Sequence, residues 1–183
     1  MTSALRIILD LSLLFAHLTQ NFSLIKMNYT LNLYKASLDK TAIIITILVG
    51  LLFGALIVFD FILPLAIFLI IIYLICFYLK PLRYEITEDE IIIRRLIKSV
   101  RISRSDVESL KLLDKSALKG TVRTFGVGGL FGWYGKFANS QLGDMTWYVT
   151  RRDKIVLINT REGKKILISP DEAESFVTEF KAI

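Results

Sequence analysis

Side chains suited to covalent or metal chemistry are scarce in this chain. Its 183 residues hold one histidine, His17, and one cysteine, Cys76. A Ser-His-Asp or Cys-His pair needs a histidine beside its nucleophile, and Cys/His metal centres need several such ligands at once. With one of each, both classes are effectively excluded, and no intramolecular disulfide can form. The sequence therefore predicts no catalytic residue, no metal ligand and no cofactor. Asp144, Arg151, Arg152, Asp153 and Lys154 could be gathered into an enzyme site, but charges in hairpin turns usually just face water.

The remaining segment with chemical character lies between Asp114 and Gly143. It carries Gly120, Gly126, Gly128, Gly129, Gly132 and Gly135, and is too long for a simple turn. Long loops in compact domains are often functional. A phosphate-cradling loop needs its glycines between a strand and a helix, with Lys-Ser/Thr following in the nucleotide-binding version. The run Gly126 to Gly132 misses the dinucleotide fingerprint by one position, and no helix follows it. What is left is an aromatic-rich turn. The candidate interaction residues are Phe125, Gly126, Gly128, Gly129, Phe131, Gly132, Trp133 and Tyr134, with Phe137 close behind. Three readings stay open for them: plugging one end of a barrel, docking at the membrane interface, or binding a partner or small ligand.

The elements that would position this segment begin with a membrane anchor. Hydrophobic residues make up 54% of the chain and the mean hydropathy is +0.54, too apolar for an ordinary soluble domain. From Thr41 to Leu79 the only charge is Asp60. One continuous helix over that stretch would be about 58 Å long, nearly twice the hydrocarbon core of about 30 Å. Two spans of about 18 to 19 residues fit instead, breaking at Phe59-Asp60-Phe61, with Pro64 in the first turn of the second helix. Asp60 reads as a hydrated residue at the hairpin tip. Lys35, Lys40, Lys80 and Arg83 flank the pair and the tip carries no positive charge, so both ends are expected in the cytoplasm. Gly50 and Gly54 form a G-x-x-x-G that could seat the second span or a second copy of the chain.

Ahead of the anchor, Ala4 to Leu18 is apolar but interrupted by Arg6, Asp10 and His17. That pattern does not suit a signal peptide. An interfacial amphipathic helix and a true start at Met27, leaving residues 1–26 outside the native protein, both remain open. The expected organisation is an arm over 1–40, a two-helix transmembrane hairpin over 41–79 and a cytoplasmic domain over 80–183.

That domain reads as short strands. Leu82, Tyr84 and Ile86 alternate onto one face; Glu90 to Arg95, Val100 with Ile102, and Val107 to Leu113 follow. Met145 to Thr150, Lys154 to Thr160 and Lys164 to Ser169 are three more, linked by Arg151-Arg152-Asp153 and Arg161-Glu162-Gly163. Ser169-Pro170-Asp171-Glu172 then looks like an N-cap, a proline at N1 and a capping box. Ala173, Phe176, Val177 and Phe180 form one apolar helical stripe. About seven antiparallel strands and one C-terminal helix make a mainly β, α+β domain in the order of a pleckstrin-homology-like barrel.

The run Arg123-Thr124-Phe125-Gly126-Val127-Gly128-Gly129-Leu130-Phe131-Gly132-Trp133-Tyr134-Gly135-Lys136-Phe137, with Ile166-Leu167-Ile168-Ser169-Pro170-Asp171 ahead of the helix, resembles the bacterial PH-like domain family. It is similar in particular to the subgroup that carries two membrane helices before the domain. The resemblance implies a fold and a membrane location, with no activity attached. Eukaryotic PH domains that bind phosphoinositides use basic residues in the first hairpin turn. Here that turn is the acidic Glu88-Asp89-Glu90, which argues against the usual headgroup mode.

From Lys80 onward there are 19 Lys/Arg against 14 Asp/Glu. That surplus suits an anionic membrane surface and is too mixed in sign for nucleic acid. Arg94, Arg95, Lys98 and Arg101 read as a solvated charged face. The expected protein is a non-enzymatic inner-membrane module with both termini cytoplasmic. Its partners would be the lipid bilayer and a protein or a second copy of itself; the alternative is a subunit working through its transmembrane helices.

Overall fold

The computed structural model describes residues 32–58 and 63–182. The turn at Asp60, residues 1–26 and the start at Met27 lie outside them. β1 (Asn32–Lys35) comes first, then α1 (Lys40–Val58) and α2 (Leu63–Leu79). Nine strands follow: β2 (Pro81–Ile86), β3 (Glu90–Arg95), β4 (Val100–Ser103), β5 (Val107–Leu113), β6 (Val122–Gly129), β7 (Gly132–Asn139), β8 (Gly143–Val149), β9 (Ile155–Thr160) and β10 (Lys165–Ile168). α3 (Ala173–Ala182) closes the chain.

The expected closed barrel of about seven strands is replaced by two open sheets. One has the order β1-β2-β3-β4 and the other β5-β9-β10-β8-β7-β6. The chain passes between them at a 3-10 turn, Arg104–Asp106. β1, β4, β5 and β6 are left as edges, so the sheets do not close on one another. Nor is the pairing wholly antiparallel. β10 inserts between β9 and β8, antiparallel to the first and parallel to the second.

β1 belongs to the sheet rather than to an arm. Tyr34 faces Tyr84 across the β1–β2 ladder and Lys35 faces Arg83, so the chain adds a strand before it enters α1. Asp39 caps that helix: its Oδ1 accepts from the Ala42 amide at 2.8 Å, satisfying a first-turn donor.

Between the sheets lies the main core: Tyr34, Tyr84, Ile86, Ile91, Ile93, Val156, Ile158 and Ile168, closed by Phe176 and Val177 of α3. The alternation Tyr84, Ile86 supplies it as the sequence pattern requires. Leu82, however, sits at a register shift between Pro81 and Arg83 and is 40% exposed. A bulge of this kind turns one residue off the buried face. The opposite face of the large sheet carries a second cluster, including Trp133, Phe137, Met145, Trp147 and Leu157, covered in part by Leu38 and Ala42.

Ser169 is not a helix cap. α3 begins four residues later, at Ala173, and Ser169 is fully buried. Its Oγ accepts from the Thr150 amide at 2.8 Å and lies 3.4 Å from the Tyr84 hydroxyl. Asp171 likewise turns back, its Oδ1 accepting from Ser37 Oγ at 2.6 Å and from Arg151 at 3.1 Å.

Among the described residues no helix is long and apolar enough to cross a membrane. α1 has 19 residues, opening on Lys40, and α2 has 17. At 1.5 Å per residue they reach about 28 and 26 Å, short of the hydrocarbon thickness of about 30 Å.

Candidate functional site

The glycine-aromatic segment is a β-hairpin, not a loop. β6 and β7 pair from Val122 opposite Ala138 to Gly129 opposite Gly132, leaving Leu130 and Phe131 as its two-residue turn. Phe131 takes a φ of 55°, and Gly129 and Gly132 flank it at 103° and 120°. Leu130, the first turn residue, is not at positive φ, so the turn is not one of the primed hairpin types, and Phe131 holds the left-handed position usually given to glycine. Midway along, Gly126 faces Gly135. A Cβ on Gly126 would lie 2.4 Å from the Tyr134 carbonyl oxygen, and one on Gly135 2.3 Å from that of Phe125. Glycine is required there because the strands approach too closely for any side chain.

The hairpin tip docks on the chain's own helices. Phe131 is buried against Tyr73 and Phe77 of α2, with ring centroids at 4.8 and 5.3 Å in edge-to-face geometry. Its amide donates to Thr46 Oγ1 of α1 at 2.9 Å. The Tyr134 hydroxyl donates to the Cys76 carbonyl at 2.5 Å, and burial pushes its ionisation well above the ordinary tyrosine range. Lys80 rests 4.4 Å from the Phe77 ring centroid, where burial lowers its pKa.

The eight candidate residues therefore do not form one surface. Phe131 and Tyr134 face the helices. Trp133 joins the cluster on the far face of the large sheet. Gly126, Gly128, Gly129 and Gly132 are backbone of the ladder, and Phe125 is the one candidate whose large side chain stands out, 77% exposed. Gly50 and Gly54 also part company. A Cβ on Gly50 would come within 3.2 Å of the Tyr73 hydroxyl, so Gly50 faces α2, whereas Gly54 faces open space.

On Trp133's side of the sheet there is a cleft of about 700 Å³. Trp133, Phe137 and Trp147 line it; Phe137 and Trp147 stack at 4.4 Å. Lys115, Lys119, Arg123 and Arg152 stand around this apolar floor, all four exposed. Among the described residues none of the four forms an ion pair. The Arg152 guanidinium lies 4.4 Å over the Trp133 ring, a cation–π contact.

The two carboxylates of the cleft are already engaged. Asp153 takes a two-point contact from Arg151, both distances 2.6 Å, which holds its carboxyl below the usual carboxylate range. Asp39 caps α1 and accepts from the Arg152 amide at 3.3 Å. Trp147 is 3% exposed, and its indole N–H has no partner among the described residues.

Sequence reasoning reached Trp133, Phe137 and Arg152, and Arg123 within the family-like run, without joining them, and missed Asp39, Lys115, Lys119 and Trp147. One signal was present. Met145, Trp147 and Val149 alternate along β8 onto the face that Trp133 and Phe137 share. The turn charges weighed as an enzyme site make ordinary ion pairs: Arg151 and Asp153 pair with each other, and Lys154 reaches Glu174 at 3.5 Å. Among the described residues no three His, Cys, Asp or Glu side chains could hold a metal ion.

Comparison with curated proteins and with solved structures finds no match. The family model described as Bacterial PH domain matches residues 82–182. That stretch runs from β2 through α3, covers more than half of the chain, and includes both the hairpin and the cleft cations. On this match, and with a two-sheet domain closed by a C-terminal helix, the chain belongs to the bacterial PH domain family.

Proposed function

We propose that the protein is a membrane-anchored, non-enzymatic interaction module. In this reading α1 and α2 form a hairpin embedded in the inner membrane, both chain termini lie in the cytoplasm, and the PH domain presents a protein- or lipid-binding surface there. The observation that carries it is the outer surface of the helix pair. Ile43, Ile44, Ile47, Leu48, Leu51 and Leu52 make an exposed stripe on α1, and Leu65, Phe68, Ile71, Ile72 and Ile75 are exposed on α2. A soluble monomer rarely leaves so large a contiguous apolar surface in water. Hydrocarbon would cover it.

The geometry at the base agrees. β1 and β2 pair side by side, so the chain enters α1 and leaves α2 at the same end, beside Lys35, Lys40, Lys80 and Arg83. Cations at that end suit the cytoplasmic headgroups. Helices a few ångströms shorter than the hydrocarbon core can be accommodated by local thinning of the bilayer.

Alkaline carbonate extraction of native membranes tests the anchor. The full chain should stay in the pellet, and a variant with residues 41–79 replaced by a short Gly/Ser linker should move to the supernatant. Release of the full chain by carbonate would overturn the proposal.

A further inference from the structure

The cleft beneath Arg152 is the feature that neither the family nor the anchor explains. We propose that it is a binding site for a phosphate ester carried on an apolar or aromatic body. Three features converge there. Four cations that form no ion pair among the described residues surround it, while its two carboxylates are engaged by Arg151 and by the amides of Ala42 and Arg152. A monocarboxylate would leave most of that charge uncompensated; a phosphate monoester dianion, with its oxygens spread in three directions, matches it. Trp133, Phe137 and Trp147 give the ester's organic part an apolar floor. And the Trp147 indole N–H is a buried donor with no acceptor among the described residues, a group that costs free energy until something accepts from it.

A volume of about 700 Å³ suits a small molecule or one headgroup with the start of its chains. The site is separate from the β2–β3 turn at Glu88-Asp89, where the charge is of the wrong sign for an anion. Two sources could supply the same chemistry: a soluble phosphate ester, or an anionic phospholipid presented by the bilayer. The lipid source, and only that source, rests on the membrane anchoring proposed above, since Asp39, the residue that caps α1, lines the cleft.

The chain's two tryptophans, Trp133 and Trp147, both line the cleft, so intrinsic fluorescence reads the site without a label. The full chain is placed in phosphatidylcholine nanodiscs and titrated with phenyl phosphate, with benzoate as the monoanion control. It is also placed in discs containing phosphatidylglycerol. A saturable change with phenyl phosphate assigns a soluble ester, and a change only in phosphatidylglycerol discs assigns the lipid. Either should weaken at least about tenfold in Arg152→Gln and in Lys119→Gln.

Trp147→Phe separates binding from folding. It removes the unsatisfied donor and leaves a small cavity beside Phe137, so a cooperative thermal transition should persist at a somewhat lower temperature while affinity falls. The proposal is overturned if neither probe gives a saturable change, if benzoate binds as tightly as phenyl phosphate, or if the Arg152 and Lys119 variants bind unchanged. Failure to enter nanodiscs would count against the anchor instead, and the phenyl phosphate titration would then be run on the full chain in detergent.

Discussion

The Phe131 amide donates to Thr46 Oγ1 at 2.9 Å, tying the tip of the β6–β7 hairpin to the first helix across 85 positions of sequence. The contact is enclosed: Phe131 sits against Tyr73 and Phe77, and Tyr134 is anchored to the Cys76 carbonyl. The helix pair and the PH domain therefore share a small core of their own. Replacing Phe131 with Ala should cost about 3 kcal/mol by cavity formation. Thr46→Val, which strands a buried amide, should cost about 1 to 2 kcal/mol. Because the two touch, the double variant should lose less than the sum. Denaturant titration in detergent, followed by tryptophan fluorescence, measures all three; strict additivity would mean that the Phe131 ring and the Thr46 side chain are not coupled.

The paired glycines make a sharper case. Gly135→Ala would drive a methyl to 2.3 Å from the Phe125 carbonyl oxygen at a φ of 129°, and neither strand can yield without breaking the ladder. We expect a loss above about 3 kcal/mol or failure to fold. Gly163→Ala, also at positive φ (77°) but in open space, should cost only about 1 kcal/mol. The contrast between them, read by urea midpoint, separates close approach from backbone strain.

These glycines also explain what the sequence hid. The stripe Ala173, Phe176 and Val177 was legible because helical spacing and burial coincide there, and Tyr84 and Ile86 were legible by alternation. β6 and β7 were not, because residues at their closest pairing are glycines, which carry no side-chain pattern and read as turn. The place of β10 was hidden for another reason. Arg151-Arg152-Asp153 has the length of a hairpin link, yet β10 lies between the strands it joins, and no local signal records an insertion made later in the chain. The cleft drew its parts from both hidden features. Lys115, Lys119 and Arg123 precede or open the unseen hairpin, and Trp147 lies on the strand whose neighbours were misassigned.

Tyr84 predicts a dependence on alkaline pH. Its hydroxyl donates to the Tyr148 carbonyl at 2.7 Å, and burial raises its pKa from 10.0 to about 12. The unfolded chain releases this proton near the ordinary tyrosine value, whereas the folded protein holds it longer. The stabilisation is thus complete below about pH 10 and is lost as pH rises toward 12. Tyr84→Phe should be less stable at neutral pH by about 1 to 2 kcal/mol and should lose less stability than the parent between pH 9.5 and 11.5. Parallel pH profiles for the two proteins would remove Tyr84 as the cause.

Gly50 and Gly54 should respond differently to the same substitution, although one turn of α1 separates them. A side chain at Gly50 meets the Tyr73 hydroxyl, which itself donates to the Thr46 carbonyl at 3.3 Å. Gly50→Ile must therefore displace the Tyr73 ring, which packs on Phe131, and thermal stability in detergent should fall by about 1 to 3 kcal/mol. A Cβ at Gly54 has nothing within 4 Å among the described residues, so Gly54→Ile should leave that stability within about 0.5 kcal/mol. Native mass spectrometry then separates a tether from a helix-associating subunit. If α1 meets a second copy through its small-residue notch, Gly54→Ile shifts the protein toward monomer, because close backbone approach depends on the missing side chain. If the helix pair is only an anchor, the mass distribution stays as it is in the parent.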